Sequence, residues 1–386
     1  MFLLRNATVY APEARGLNDI LIGDDRILWM GPRLDALPSA LLVEEIDLAG
    51  AVVVPGLVDG HAHLTGGGGE AGPHTRVPPP PLTQYTKAGV TSVVGVLGTD
   101  DVTRTTGELV VSARGLEADG LSAWCHTGGY HFPLVTLTGS IRGDITHIDR
   151  IIGVGEVAIS DHRSSQPTLD ELLRVAADAH VGGLMTGKAG ILHLHVGDGL
   201  RGLDLIRRAL TTSEIPPRVF NPTHVNRRRG LFEEALLLAR ADCVVDITSF
   251  DVAPDEDAWS AADALERYLA SGAPLANVTV SSDGGGCLPV FDQDGRVVQM
   301  GVGHAGSLMS TVRDLLSRGM TLDEVLPAFT SNVAALLRLP RKGRVAIGMD
   351  ADLVVLDAAY QVRDVMARGA WHVRGGTAVR RGAFES

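Results

Sequence analysis

His61 and His63 stand two residues apart at the end of the apolar run Val-Val-Val-Pro-Gly-Leu-Val-Asp-Gly-His-Ala-His. Alternate side chains of a strand share a face, so both imidazoles can reach one divalent cation at about 2.0–2.1 Å. So short a motif also arises on ordinary polar surface, and the weight falls on what converges with it. Four further groups with metal-ligating chemistry sit in or at the end of apolar runs: Glu156 in Gly-Val-Gly-Glu-Val-Ala-Ile-Ser-Asp, His195 in Leu-His-Leu-His-Val-Gly-Asp, His224 in Asn-Pro-Thr-His-Val-Asn-Arg and Asp283 in Val-Ser-Ser-Asp-Gly-Gly-Gly.

The elements that would position these residues follow from hydrophobic periodicity. Eight short apolar runs are expected as strands, at 52–63, 91–99, 121–129, 151–161, 190–197, 219–227, 243–250 and 278–285. Amphipathic segments lie between them. The clearest is 168–181, where Thr168 and Glu171 have capping-box spacing and Leu169, Leu172, Leu173 and Ala176 share one face. Segments 231–241, 258–271 and 305–318 follow the same pattern. Repeated βα units of this number predict an α/β chain whose residues 51–342 form a (β/α)8 barrel of the TIM type, with catalytic groups at the carboxyl ends of the strands. The six candidate ligands fall at that mouth. Four imidazoles and two carboxylates exceed one tetrahedral ion but suit two divalent ions about 3.5–4 Å apart, and mixed N/O donors favour zinc. Residues 1–50 and 343–386 read as short strands broken by Gly and Pro, and are expected to combine into one small β-sandwich. Two long loops stand out. Segment 64–82 carries Gly66 to Gly69 and Pro78 to Pro81, and segment 132–148 reads as a flap.

Bulk properties narrow the class. The 386 residues carry 45% hydrophobic and 21% charged side chains and a net charge of −12, as in an ordinary globular protein with neither nucleic acid nor an anionic membrane as main partner. The opening residues lack the basic flank and apolar core of a signal peptide, no run of about 18 apolar residues occurs, and a cytosolic protein is expected. Cys125, Cys243 and Cys287 have no paired spacing, so no disulfide framework is expected.

These motifs carry a resemblance. Pro-Gly-Leu-Val-Asp-Gly-His-Ala-His and the C-terminal Gly-Met-Asp-Ala-Asp-Leu-Val-Val-Leu are similar to the amidohydrolase superfamily at large. Gly-Gly-Gly-Gly-Glu-Ala-Gly-Pro, Leu-Gly-Thr-Asp, Ala-Ile-Ser-Asp-His-Arg-Ser, Pro-Thr-His-Val-Asn-Arg and Ser-Ser-Asp-Gly resemble its isoaspartyl (β-aspartyl) dipeptidase family, and the likeness covers nearly the whole chain. The resemblance implies that His61, His63 and Asp283 hold one ion, that His195 and His224 hold the other, and that the residue in the fourth strand bridges them. Here the chain departs from the family pattern, which has a carboxylated lysine at that place. Glu156 occupies it, and Lys87, Lys188 and Lys342 all lie elsewhere in the pattern of elements. Glutamate is several bonds shorter, so its strand must approach the ions more closely, which the Gly-Val-Gly run permits.

The implied activity is hydrolysis of the isopeptide bond of β-aspartyl dipeptides by a metal-bridging hydroxide, with Asp283 moving the proton from water to the leaving nitrogen. A β-aspartyl dipeptide has one ammonium and two carboxylates. Glu70 answers the first, and Arg163 and Arg227 answer the others. The resemblance places Tyr130 as an oxyanion donor and Thr99 near the substrate. Cys287 stands where the family has a substrate-contacting serine, a second departure, since a thiol is the weaker donor. Arg163 has an alternative role as a structural partner of Asp161. His193, His126, His131 and His162 are read as packing or as support for the ligands. The enzymatic alternative is a cyclic-amide hydrolase of the dihydroorotase or hydantoinase kind, and relatives imply a homo-oligomer.

Overall fold

A computed structural model describes residues 1–35, 37–38, 40–291 and 296–385. Eight parallel strands form its centre: Leu57–Ala62, Val90–Gly95, Ser122–Thr127, Ile151–Ile159, Leu192–Val196, Phe220–Thr223, Val245–Thr248 and Val278–Ser281. The first six form one sheet in sequential order and the last two pair with each other. The ends of the series meet, because Asp283 N–H donates to the His61 carbonyl (3.1 Å) and His63 N–H to that of Gly284 (2.8 Å). These strands are buried almost throughout because helices cover them: Leu172, Val175 and Ala176 of helix Leu169–Thr186 join one large core with strand residues such as Val93, Val157 and Leu194. Thr168 and Glu171 close both halves of a capping box at that helix's start. A second apolar cluster fills the interior away from the site, where Val58, Val94, Ile152 and Ile191 meet Val333 and Leu337.

The expected strand 52–63 is two strands. Val52–Pro55 belongs to a nine-stranded sheet and pairs antiparallel with Leu353–Leu356, whereas Leu57–Ala62 joins the central series. Pro55 has no N–H to continue a ladder, and a side chain at Gly56 would strike Thr91, 2.1 Å from an ideal Cβ. The nine-stranded sheet draws on both ends of the chain, with Phe2–Tyr10 between Val52–Pro55 and Ala14–Gly23 and the strands from 353 to 378 on the other side. Leu4, Val9, Ile20, Ile22, Val53, Leu353, Val355 and Met366 form its own core.

Segment 132–148 is more than a flap. Its second half is the helix Ile141–His147, N-capped by Ser140, and it buries Ile141 and Ile145 against the main core. Asp144 fixes the first half by accepting from Thr127 Oγ1 (2.5 Å), Leu137 N–H and Thr138 N–H. Two apolar residues in one short helix leave too little periodicity for a helix to be read from sequence. Among the described residues no helix is long and apolar enough to cross a membrane.

Candidate metal centre and substrate pocket

Six side chains from five strand ends meet at one buried point. His61 lies in the first strand and His63 just beyond it, Glu156 in the fourth, His195 in the fifth, and His224 and Asp283 just past the sixth and eighth. All are at least 95% buried. The Glu156 carboxylate is central: Oε1 lies 3.4 Å from His63 Nε2, while Oε2 lies 3.3 Å from His195 Nδ1, 3.5 Å from His224 Nε2 and 3.6 Å from His61 Nε2. Asp283 Oδ1 is 3.0 Å from His63 Nε2 and 3.3 Å from His61 Nε2. Three overlapping triads each hold their ligand atoms within 4.8 Å of one another: His61, His63 and Glu156; His61, His224 and Asp283; Glu156, His195 and His224.

Backbone irregularities aim these groups. Leu192 pairs with Val154 but Leu194 with Val157, so the fourth strand has one extra residue in a bulge at Gly155 and Glu156. A Cβ on Gly155 (φ +138°) would lie 2.4 Å from the His193 carbonyl oxygen, an approach only glycine allows. His224 (φ +61°) and Asp283 (φ +51°) are left-handed, a state costing about 1–3 kcal/mol unless the surroundings enforce it. Enforcement is visible at both. Thr248 Oγ1 is 2.7 Å from His224 Nδ1, and Asp59 takes Ser282 N–H (3.1 Å) and its hydroxyl (2.5 Å), tying the eighth strand to the first.

The donor set fits a cation. His61 Nε2, Glu156 Oε2 and Asp283 Oδ1 are buried, face one another and have no hydrogen-bond partner. Desolvating an ion without compensation costs several kcal/mol. In the absence of metal the compensation is a proton: burial alone would lower His61, but Glu156 and Asp283 outweigh it and push the imidazole up to about 9. Burial opposes ionisation of the two carboxylates, yet the surrounding imidazoles hold both well below the usual range. Burial pushes His224 down to about 3 despite Glu156, leaving its Nε2 free to ligate.

The centre opens into a cavity of about 570 Å³ lined by Glu70, Thr99, Tyr130, Arg163, Arg227 and Cys287, so all five expected substrate contacts and Tyr130 share one space. Arg163 grips Asp161 with two bonds (Nε 3.1 Å, Nη2 2.8 Å) and also reaches Glu70 at 3.5 Å. Arg163 is thus the structural partner of Asp161 and at the same time part of the cavity wall. The Tyr130 hydroxyl is 2.7 Å from His195 Nδ1, and burial, reinforced by Glu156 and opposed by Arg163, keeps it protonated far above its usual value. Burial pushes the Cys287 thiol up to about 12, aided by Glu70 and Asp283, so it stays a neutral, weak donor. The glycine loop before Glu70 is held by Arg104, whose buried guanidinium donates to the carbonyls of Thr65 (3.1 Å), Gly67 (2.9 Å), Gly68 (3.4 Å) and Val77 (3.1 Å) and to Asp100 (2.9 Å).

None of the three lysines reaches the centre. Lys188 donates to the Ile145 and Ile148 carbonyls, Lys342 is buried between Asp350 and Asp352, and Lys87 caps the helix Leu82–Thr86. Sequence reasoning missed Asp161 as a histidine partner: its Oδ2 lies 2.9 Å from His195 Nε2, which turns Nδ1 toward Glu156. It also missed Thr248. Of the supporting histidines, His193 bonds His61, His131 spans Asp101 and the Arg163 carbonyl, His162 lines the cavity, and His126 packs beside His193 with neither nitrogen partnered.

Models of the amidohydrolase family match residues 44–105 and 226–372. The chain is similar to the β-aspartyl dipeptidase of Fervidobacterium islandicum AW-1, solved in complex with a β-Asp-Leu dipeptide, with 41% identity, TM-score 0.91 and 98% coverage of both chains. It is 26% identical to an imidazolonepropionase of Anaeromyxobacter dehalogenans over 92% of this chain and 89% of that protein. A D-hydantoinase from a Bacillus species shares the fold, with TM-score 0.66 and 17% identity over 99% and 97% of the two chains.

Proposed function

The chain belongs to the amidohydrolase family and is a hydrolytic enzyme, and from that premise we propose that it cleaves the isopeptide bond of β-aspartyl dipeptides. The observation that carries this reading is a cation-binding cluster sharing one cavity with a single carboxylate, Glu70, and two guanidiniums, Arg163 and Arg227. Those charges complement one ammonium and two carboxylates. In the free protein Glu70 and Arg163 answer each other at 3.5 Å, and a zwitterionic substrate would replace that contact with one of its own for each. Phe250, Leu288 and Val302 also line the cavity and suit an apolar side chain on the residue released.

His61, His63 and Asp283 would hold one divalent ion, His195 and His224 a second, and Glu156 would offer one oxygen to each side. Two such cations, with zinc favoured by the mixed donors, lower the pKa of water toward neutrality and polarise the scissile carbonyl. The residues do the rest. Asp283 accepts the proton of the attacking water and returns it to the leaving nitrogen as the C–N bond breaks. Tyr130 donates to the carbonyl oxygen as negative charge gathers there. Arg163, Arg227 and Glu70 fix the substrate's charged ends, and Thr99 and Cys287 face the same space.

The same reading closes the eight central strands into a (β/α)8 barrel within residues 51–342 and folds residues 1–50 with 343–386 into a β-sandwich, to which the strand Val52–Pro55 adds through its pairing with Leu353–Leu356. It takes the protein as a cytosolic homo-oligomer. Likeness to an imidazolonepropionase and a hydantoinase supports a second reading, cyclic-amide hydrolysis on the same centre. Chromatographic assay of the zinc-loaded protein with β-Asp-Leu and with dihydroorotate separates the two. Release of leucine with two zinc ions per chain is expected, and turnover of dihydroorotate alone would replace the first reading by the second.

A further inference from the structure

One buried histidine outside the six sets the tautomer of a ligand. His193 lies in the fifth strand two residues before His195, 2% exposed, with Nε2 2.8 Å from His61 Nδ1 and Nδ1 2.6 Å from Asn221 Oδ1. The far end of this chain fixes its direction. Asn221 Nδ2 is 2.7 Å from the Val244 carbonyl, and a carbonyl only accepts, so the amide nitrogen must be on that side and the amide oxygen must face His193. An oxygen acceptor requires a proton on His193 Nδ1, which leaves the lone pair of neutral His193 on Nε2. That lone pair accepts the Nδ1 proton of His61. His61 Nε2 is thereby left as the ring atom that faces Glu156 and Asp283, 3.6 and 3.3 Å away, where a bound cation would take the place of its proton.

We infer that Asn221 and His193 form a one-way hydrogen-bond relay that locks His61 in the Nδ1–H tautomer and presents Nε2 to the metal, making His193 a positioning residue for the centre. This rests on the metal-dependent reading above. The other two engaged histidines are oriented differently, His224 by Thr248 and His195 by Asp161, so a single neutral relay runs through the interior to His61. Ligand orientation by such outer partners commonly affects metal affinity by about 10–100-fold.

The test compares His193→Leu, which cannot accept, with His193→Gln, whose side-chain oxygen can. Zinc affinity by chelator competition is expected to fall about 10–100-fold in the leucine variant and to stay within about 3-fold of wild type in the glutamine variant. The visible spectrum of the cobalt-substituted protein should change only in the leucine variant. Asn221→Ala should weaken zinc binding alone but add little to His193→Leu. Nitrogen-15 NMR of the metal-free wild type should find His193 protonated at Nδ1 and bare at Nε2. Wild-type affinity in His193→Leu, failure of glutamine to rescue, or an Nε2 proton on His193 would overturn the relay. A wild type that takes up no zinc yet has the expected tautomer would sink the metal reading and leave the relay standing.

Discussion

Tyr130→Phe isolates one oxygen atom. The ring is 4% exposed, its centroid lies 4.5 Å from that of His195, and the Arg163 guanidinium sits 5.6 Å above it; phenylalanine keeps all three relations. What disappears is the hydroxyl 2.7 Å from His195 Nδ1. As a structural hydrogen bond it contributes about 1 kcal/mol, so Tm should move by no more than about 2 °C. As a donor to a developing oxyanion it contributes about 3–4 kcal/mol, so kcat should fall about 10²–10³-fold while KM stays within about 3-fold. The assay is steady-state hydrolysis of β-Asp-Leu at saturating zinc, with metal content measured on the same preparation. A bracing role for Tyr130 on His195 predicts the opposite pattern: zinc lost, and kcat restored when zinc is added in excess. That recovery, or a fall in kcat of less than about 10-fold, refutes the oxyanion assignment.

Asp283→Asn keeps the shape of the ligand but cannot carry the proton; kcat should drop about 10²–10⁴-fold with the fold intact, and activity near wild type removes the proton-transfer role. Arg227→Met should raise KM for β-Asp-Leu by about 10–100-fold, the worth of a charge-assisted contact of about 1.5–3 kcal/mol, and an unchanged KM would take Arg227 out of substrate recognition. Glu156→Ala should lose bound metal by elemental analysis with no recovery in bicarbonate, and wild-type activity should be equal in CO2-free buffer. Activity of the wild type that depends on bicarbonate would point to a carbamate and against the carboxylate. His372 is fully buried beside Arg380, and burial, with Arg380 adding to it, pushes it down from 6.5 to about 4. The unfolded chain therefore takes up this proton first, so stability is complete above pH 6.5 and declines toward pH 4 by up to about 3 kcal/mol at about 1.4 kcal/mol per pH unit. His372→Gln should flatten the denaturation midpoint over that window, and an unaltered slope would assign the acid sensitivity to other groups.

Much of the molecule was readable because its rules are local. Eight apolar runs of strand length, helices with legible caps such as Thr168, and chemistry-bearing residues at the ends of those runs required only periodicity. Where a single apolar stretch serves two sheets, periodicity misleads: 52–63 reads as one strand, and the break at Pro55 and Gly56 appears only once Thr91 is known to press on it. The helix Ile141–His147 was hidden for a different reason, since it buries only Ile141 and Ile145 of its apolar residues and so short a stretch carries no legible period. Convergence of the six side chains could be anticipated from strand-end positions alone. Their orientation could not, because Asp161, His193 with Asn221, and Thr248 act on neighbours between 24 and 132 positions away, and sequence spacing has no term for such pairs.

Arg104 has a consequence for how the pocket receives its guest. A loop of four consecutive glycines would ordinarily wander among many shapes and would have to surrender that freedom each time a ligand arrived. Here one side chain holds the carbonyls of two of the glycines, Gly67 and Gly68, together with those of the flanking Thr65 and Val77. The entropic penalty is met during folding, so Glu70 is held beside Arg163, and under the proposed reading a small charged molecule would dock with little rearrangement of the loop backbone. Glycine in this loop thus serves close backbone contact, with the suppleness cancelled by a guanidinium.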